Sequence, residues 1–277
     1  ELSQWEAFVP DRQKQFGRSW HASSATEVAV AQISAGRLYE AEESLREAIA
    51  LYKSYGFTED QMAFTYRWVS DLYFAQGRYG DGLRVAQKVK EIQRNMGLSE
   101  ATADAIWTEQ RVIKNIVAQK RWPDAMKEFD NVDRVVAGNQ RLTPIARMVD
   151  LRGLTLLNNN RTSEAISTLK GTLDWSERNF GEDHYFTAFK RGMYAIALSK
   201  DPAQQSRALE ELEHAVRNLS APDTLSSQFE ESPFRLSLRQ DIYKTYIRLL
   251  GQKQTEKQNA AAMAFAASSH LMSSSVQ

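Results

Sequence analysis

The apolar residues of this chain recur at helical spacing almost from end to end. Ala41, Leu45 and Ala48 stand at offsets 0, +4 and +7. The same offsets return at Gly82, Ala86 and Val89, at Ala125, Phe129 and Val132, at Ala165, Leu169 and Thr172, and at Ala208, Leu212 and Ala215. Positions so spaced lie along one side of an α-helix. A small residue at the first of them lets two backbones approach, and the larger one that follows fills the gap beyond. Upstream of four of these runs a second helical pattern supplies a partner face: Val28 with Gln32, Val69 with Tyr73, Val112 with Ile116, and Arg152 with Leu156. Gln32 and Arg152 fit that pattern less well, so the first and fourth upstream helices are expected to be less regular. No long stretch alternates apolar and polar residues as a half-buried strand would, and none of the 6 prolines interrupts a periodic run.

Between the paired patterns lies a repeated turn. It reads Gly36-Arg37-Leu38-Tyr39-Glu40-Ala41, then Gly77-Arg78-Tyr79-Gly80-Asp81-Gly82, Lys120-Arg121-Trp122-Pro123-Asp124-Ala125 and Asn160-Arg161-Thr162-Ser163-Glu164-Ala165. The first residues are separated by 41, 43 and 40 positions, a period that in an all-helical chain means stacked helical hairpins. Capping chemistry agrees. Thr58-Glu59-Asp60-Gln61 has the form of a capping box ahead of the apolar run Met62 to Phe74. Pro144 after Thr143, and Pro123, suit first helical turns. A fifth unit runs from about Asp183 to Ser199, breaks at Asp201-Pro202-Ala203, and resumes with Ala208. After a polar loop from Ala221 to Pro233 comes a final hairpin, Phe234 to Leu250 and Glu256 to Leu271. The expectation is an irregular capping extension over 1–20 and a repeat domain over 21–277. Its units fall near 22–56, 58–97, 99–138, 141–180, 183–220 and 234–272.

Composition narrows the function classes. Lysine plus arginine and aspartate plus glutamate both number 35, and a neutral chain lacks the cationic surface of a non-specific nucleic-acid binder. No run of 18 apolar residues predicts a membrane span. Cysteine is absent, which excludes disulfides, thiolate metal sites and a cysteine nucleophile within this stretch. The 4 histidines, His21, His184, His214 and His270, are far apart and lack metal-ligand spacing. No nucleophile elbow, glycine-rich phosphate loop or paired aspartate box is present. Glu42-Glu43 and Glu230-Glu231 suit solvated faces, and the serines of Ser268 to Ser275 suit a fraying end. The expectation is therefore no catalytic site, no metal and no cofactor. The chain begins at Glu1 rather than at a methionine, as it would after removal of a signal peptide or as part of a longer chain. A soluble protein of either the cytoplasm or an extracytoplasmic compartment fits.

With the repeat in hand, the chain resembles the tetratricopeptide repeat family. Ala29 or Ser70, Gly36 or Gly77, and Ala41, Ala125 or Ala165 stand at its consensus small, glycine and alanine positions. The plain repeat is shorter, and the spacing here is similar to the long repeats of kinesin light chains and of bacterial caspase-like CHAT proteins. Phe180-Gly181-Glu182-Asp183-His184-Tyr185-Phe186-Thr187-Ala188 resembles the signature of those repeats, with Tyr185 where proline is common. Arg235 to Leu250 and Ala260 to Gln277 resemble the last repeat before a CHAT protease domain, through Ala264-Phe265 and Val276-Gln277. Ser268, Ser269 and Met272 depart from that ending.

The resemblance implies an all-α, right-handed superhelix of about six helical hairpins with a concave groove for a protein or peptide. Its groove positions fall on Phe64, Arg67, Trp68 and Asp71, on Trp107, Gln110, Arg111 and Lys114, on Arg147 and Asp150, and on Phe186 and Lys190. Arginine beside tryptophan suits peptide capture, because guanidinium pairs carboxylates and aromatic faces anchor apolar side chains. The bland alternative is that Trp68 and Trp107 pack between helices and the cations are solvated. The carboxylate clamp of chaperone-binding repeats is not reproduced. The function implied is a sensor or scaffold arm for a C-terminal effector of the CHAT type. The alternatives are a stand-alone adapter like a kinesin light chain, or a helical enzyme with a hidden cavity. Self-association through an end hairpin is a further expectation.

Overall fold

The computed structural model describes residues 11–220, 232–252 and 267. Every regular element among them is helical. In chain order they are α1 (Asp11–Ser34), α2 (Leu38–Ser54), α3 (Ala63–Ala75), α4 (Tyr79–Asn95), α5 (Ala103–Ala118), α6 (Trp122–Val136), α7 (Thr143–Ala146), α8 (Val149–Asn158), α9 (Thr162–Phe180), α10 (Tyr185–Leu198), a 3-10 turn at Pro202–Gln204, α11 (Gln205–Leu219) and α12 (Pro233–Gln252). The chain divides into two compact units. One is Glu1–Lys120 with Asp130–Ala146; the other is Arg121–Phe129 with Arg147–Gln277. The division passes through α6, which contributes residues to both.

The repeated turns have one cause. Gly36, Gly77, Lys120 and Asn160 all take positive φ, at 74°, 76°, 57° and 61°, the left-handed geometry that ends a helix. The arginine that follows closes the turn. Its backbone N–H donates to the carbonyl five residues back, Arg37 to Gln32 at 2.9 Å, Arg78 to Tyr73 at 2.8 Å and Arg161 to Leu156 at 3.0 Å. The arginine side chain then reaches the acidic residue in the first turn of the next helix: Arg78 to Asp81 at 3.0 Å, Arg121 to Asp124 at 2.9 Å and Arg161 to Glu164 at 2.7 Å. The repeated sequence of turn residue, arginine and acid is thus a helix stop followed by a helix start.

The periodic apolar positions form the core. Ala41, Leu45, Ala48, Ala86, Val89, Ala125, Phe129, Val132, Ala165, Leu169, Ala208, Leu212 and Ala215 are all buried. Hydroxyl pairs join neighbouring helices between them, Thr26 with Thr65 and Ser176 with Thr187, each at 2.9 Å. In the fourth unit Leu173, not Thr172, is the buried residue at the third position. In the first, Ala29 is buried while Val28 points outward. Residues 11–20, expected to be irregular, are the opening turns of α1.

The upstream helix of the fourth unit is broken. α7 ends at Ala146, and α8 begins at Val149 after Met148 at φ 36°. Thr58 and Gln61 do interact as a capping pair, with the Gln61 side chain accepting the Thr58 N–H at 3.0 Å, but α3 starts later, at Ala63. Of the sixth hairpin, α12 is described. The expected loop at 221–231 and the partner helix at 256–271, Ala267 excepted, lie outside the described residues, as do Glu230, Glu231, His270 and the serines from Ser268.

Candidate functional site

The expected groove residues fall in both units. The first unit holds a cluster on α3 and α5. The Asp71 carboxylate accepts from Arg111 through one oxygen, Nε at 2.9 Å and Nη2 at 2.6 Å, and takes the Lys114 ammonium on the other. The Arg111 guanidinium also donates to the backbone carbonyls of Arg67 at 3.2 Å and Trp107 at 2.8 Å. This side chain therefore rivets the two helices together. Arg67 pairs with Asp104 at 2.6 Å and lies 5.4 Å from the centre of the Phe64 ring. Arg111 approaches the Trp68 ring at 5.7 Å and Lys114 the Phe74 ring at 4.6 Å.

The outcome for the residues divides by chemistry. The cations are not simply solvated, since Arg67, Arg111 and Lys114 are each largely covered and each carry a carboxylate partner. Burial pushes the Lys114 ammonium below its usual pKa, against the opposing pull of Asp71. Trp68 packs half-buried against the core around Ala29, Leu45 and Leu72. Phe64 and Trp107 stay open, 37% and 44% exposed. Gln110 does not face the cluster; its amide donates to the Ile145 carbonyl and so holds α7 against α5.

In the second unit the four remaining residues do not form one site. Asp150 on α8 pairs with Lys190 on α10. Phe186 lies in an aromatic group with Phe180 at 6.0 Å and His184 at 5.3 Å, and the Arg235 guanidinium is 5.8 Å from its ring centre. Arg147, expected on a helical face, is exposed in the break between α7 and α8. The left-handed Met148 ends the helical register there, which is why the carried-over position fails.

Sequence reasoning missed Asp104, the acid that holds Arg67. One period earlier stands Gln61, so comparison between repeats does not flag it. The only signal available was an acid in the first turn of a helix, which capping alone explains. Arg191 was also missed. It is buried and bridges Glu177 at 2.6 Å and Glu211 at 2.7 Å.

A wide, open depression of about 610 Å³ in the first unit is lined by Ala101, Val135, Gly138 and Arg141. A cavity of about 60 Å³ between α4, α5 and α6 is lined by Lys90, Gln93, Glu109, Ile106, Asn131 and Val132. That volume holds a few waters, well below the several hundred Å³ of an ordinary ligand pocket. Among the described residues no group of three histidine, cysteine or acidic side chains is placed to hold a metal, and no helix is long and apolar enough to cross a membrane.

Hairpins joined by left-handed turns, with small residues at the close approaches, define a tetratricopeptide-like repeat fold. Crystal structures of nearly identical tetratricopeptide-like repeats of a Podosopora anserina kinesin light chain share it. A form of those repeats with a single substitution matches with a TM-score of 0.54 and 17% identity, covering 73% of this chain and 95% of that one. A second structure of these repeats matches with a TM-score of 0.53 and 16% identity over 75% and 98%. No protein-family model and no curated protein matches the sequence.

Proposed function

We propose that this chain is a protein-interaction scaffold whose ligand docks on the α3–α5 face of the first unit. The observation that carries the reading is the pair Phe64 and Trp107, exposed aromatics on successive upstream helices, with the Arg67–Asp104 pair between those helices. Aromatic side chains fixed by their neighbours bind with little loss of rotamer freedom, which is why such residues dominate interface energetics. The ion pairs around them are nearly balanced. Arg67, Arg111 and Lys114 face Asp71 and Asp104, leaving one net positive charge. The ligand suited to that face presents apolar or aromatic side chains with at most a modest acidic complement.

Two finer forms differ in what the scaffold serves. The shared fold of the kinesin light chain repeats supports a stand-alone adapter. The likeness of Phe180 to Ala188 to the long-repeat signature, and of the C-terminal residues to the approach to a CHAT domain, supports an arm that reports to an effector.

The test compares proteins captured from lysate of the source organism by the native chain and by a Phe64→Ser, Trp107→Ser variant, after circular dichroism shows equal helix content. A partner held by the native chain and reduced tenfold or more by the variant supports the proposal. Equal capture removes the site from this face, and no capture by either overturns the scaffold reading.

A further inference from the structure

The cavity between α4, α5 and α6 mixes buried apolar side chains, Ile106 and Val132, with polar ones. One of the polar ones is out of place. Gln93 is only 7% exposed and lines the cavity, yet its side-chain amide has no hydrogen-bond partner among the described residues. Eleven residues after the small position of the downstream helix, the other repeats place Tyr52, Val136, Ser176 and Leu219. All four are buried, and Ser176 is hydrogen-bonded to Thr187. Burying an amide without a partner is unfavourable. The second repeat therefore keeps at a core position a donor and an acceptor that only a ligand can satisfy.

The charges around the cavity are unbalanced. Lys90 is spent on Glu109, at 2.6 Å. Arg94 has no carboxylate partner among the described residues, nor has Arg141 in the open depression, whereas Arg67, Arg111 and Arg191 each have one. Lys90, Arg94 and Arg141 against Glu100 and Glu109 leave one net positive charge over the two linings. The depression adjoins the cavity, since Val135 lines both. Ala101, Ala137 and Gly138 in its lining are small and leave room for a main chain to approach. The size of the cavity sets the group that enters it. At roughly 10–15 Å³ for each water-sized group, its volume admits about four to six heavy atoms, the bulk of one side chain.

We infer that this is a second recognition site, which takes an acidic segment of a partner protein. A glutamate side chain enters the cavity and its main chain crosses the depression. Its methylenes pack on Ile106 and Val132, and its carboxylate accepts from the Gln93 amide and the Arg94 guanidinium, a charge-assisted contact. The incoming charge cancels the excess cation. Glutamine has the bulk but leaves Arg94 without an anion. Neither Phe64 nor Trp107 lines the cavity or the depression, so this site stands or falls apart from the α3–α5 face.

The probe is a fluorescent, end-capped peptide of alternating glutamate and alanine, followed by anisotropy and by ¹⁵N spectra of the chain. The Gln93 side-chain N–H pair, assigned by its disappearance in Gln93→Leu, is expected to shift as peptide is added. Arg94 is exposed, so Arg94→Gln is expected to keep its helix content while losing about tenfold or more in affinity. Phe64→Ser with Trp107→Ser is expected to bind the peptide as the native chain does. A glutamine–alanine peptide that binds equally well overturns the proposal, as does an Arg94→Gln chain with native affinity or a Gln93 pair that stays still. Binding lost in the Phe64→Ser, Trp107→Ser chain would move the peptide to the α3–α5 face and overturn it as well. A single capped glutamate that binds as tightly as the peptide would assign the cavity to a small acid instead.

Discussion

At the small position of the downstream helix four repeats use alanine, at Ala41, Ala125, Ala165 and Ala208, and the second uses Gly82. Asn115 is the reason. A Cβ on Gly82 would lie 2.5 Å from the Asn115 side-chain oxygen, an oxygen that is buried with no hydrogen-bond partner among the described residues. The Asn115 amide nitrogen meanwhile donates to the Arg111 carbonyl at 2.8 Å. Gly82→Ala is expected to cost about 1–3 kcal/mol through overpacking, even after the helix gain of alanine over glycine. In an Asn115→Ala background much of that penalty vanishes, a coupling above about 0.5 kcal/mol in a urea-denaturation cycle. Strict additivity would sink this explanation.

Tyr246 is a residue-scale case of a different kind. Burial pushes its phenol up to about 12, while an unfolded tyrosine titrates near 10. The folded state therefore holds the proton more tightly. This stabilisation is complete below about pH 10 and is lost as pH rises through 12, a loss of roughly 2–3 kcal/mol. Tyr246→Phe should escape it. Urea midpoints at about pH 9 and about pH 11.5 should fall further in the native chain than in the variant.

Elements were legible where a local rule writes itself into the residues. The turn residues at 36, 77, 120 and 160 could be read because one backbone geometry recurs with one arginine after it. That geometry has a cost at two of the four. Lys120 and Asn160 carry side chains at positive φ, whereas Gly36 and Gly77 do not. Lys120→Gly is expected to leave stability unchanged or raise it by up to about 1 kcal/mol, while Gly77→Ala lowers it by about 1 kcal/mol. Thermal melts of both variants decide this, and equal effects would refute it.

What could not be read were the places where tertiary contacts override local signals. Thr143-Pro144 is a sound helix start, but nothing in the sequence announces that α7 stops after Ala146, where Gln110 holds the preceding carbonyl. The partners of cations were equally hidden. Arg191 ties α10 to Glu177 on α9 and to Glu211 on α11, a bridge between two acids 34 residues apart that no periodicity encodes. Arg191→Met, which leaves two carboxylates without their cation, is expected to destabilise the chain by about 3–5 kcal/mol. A chemical-denaturation shift under about 1 kcal/mol would show that water compensates the bridge.

Across the whole molecule 35 basic and 35 acidic side chains balance, and the candidate site shows how the balance is used. The expected groove positions came from likeness to a repeat family. Their charge state did not, because Asp71 serves as an internal counter-ion for Arg111 and Lys114 rather than leaving both for a ligand. Two opposed consequences of removing that carboxylate follow. Asp71→Asn leaves Lys114 desolvated without its anion, so the fold should weaken, by about 1–3 kcal/mol for a charged group stripped of its partner. The same change raises the net charge of the cluster from one to two and frees the Arg111 Nη2 and the Lys114 ammonium for an incoming carboxylate. A polyglutamate peptide should therefore bind the variant several-fold more tightly than the native chain at low salt. Screening over a few ångströms at about 1 M salt should erase the gain. Titration calorimetry in the two salt conditions, paired with a melting curve, reads both effects. A less stable variant with unchanged peptide affinity would mean that Arg111 and Lys114 serve only to join α3 to α5, and that the aromatic pair Phe64 and Trp107 alone carries recognition.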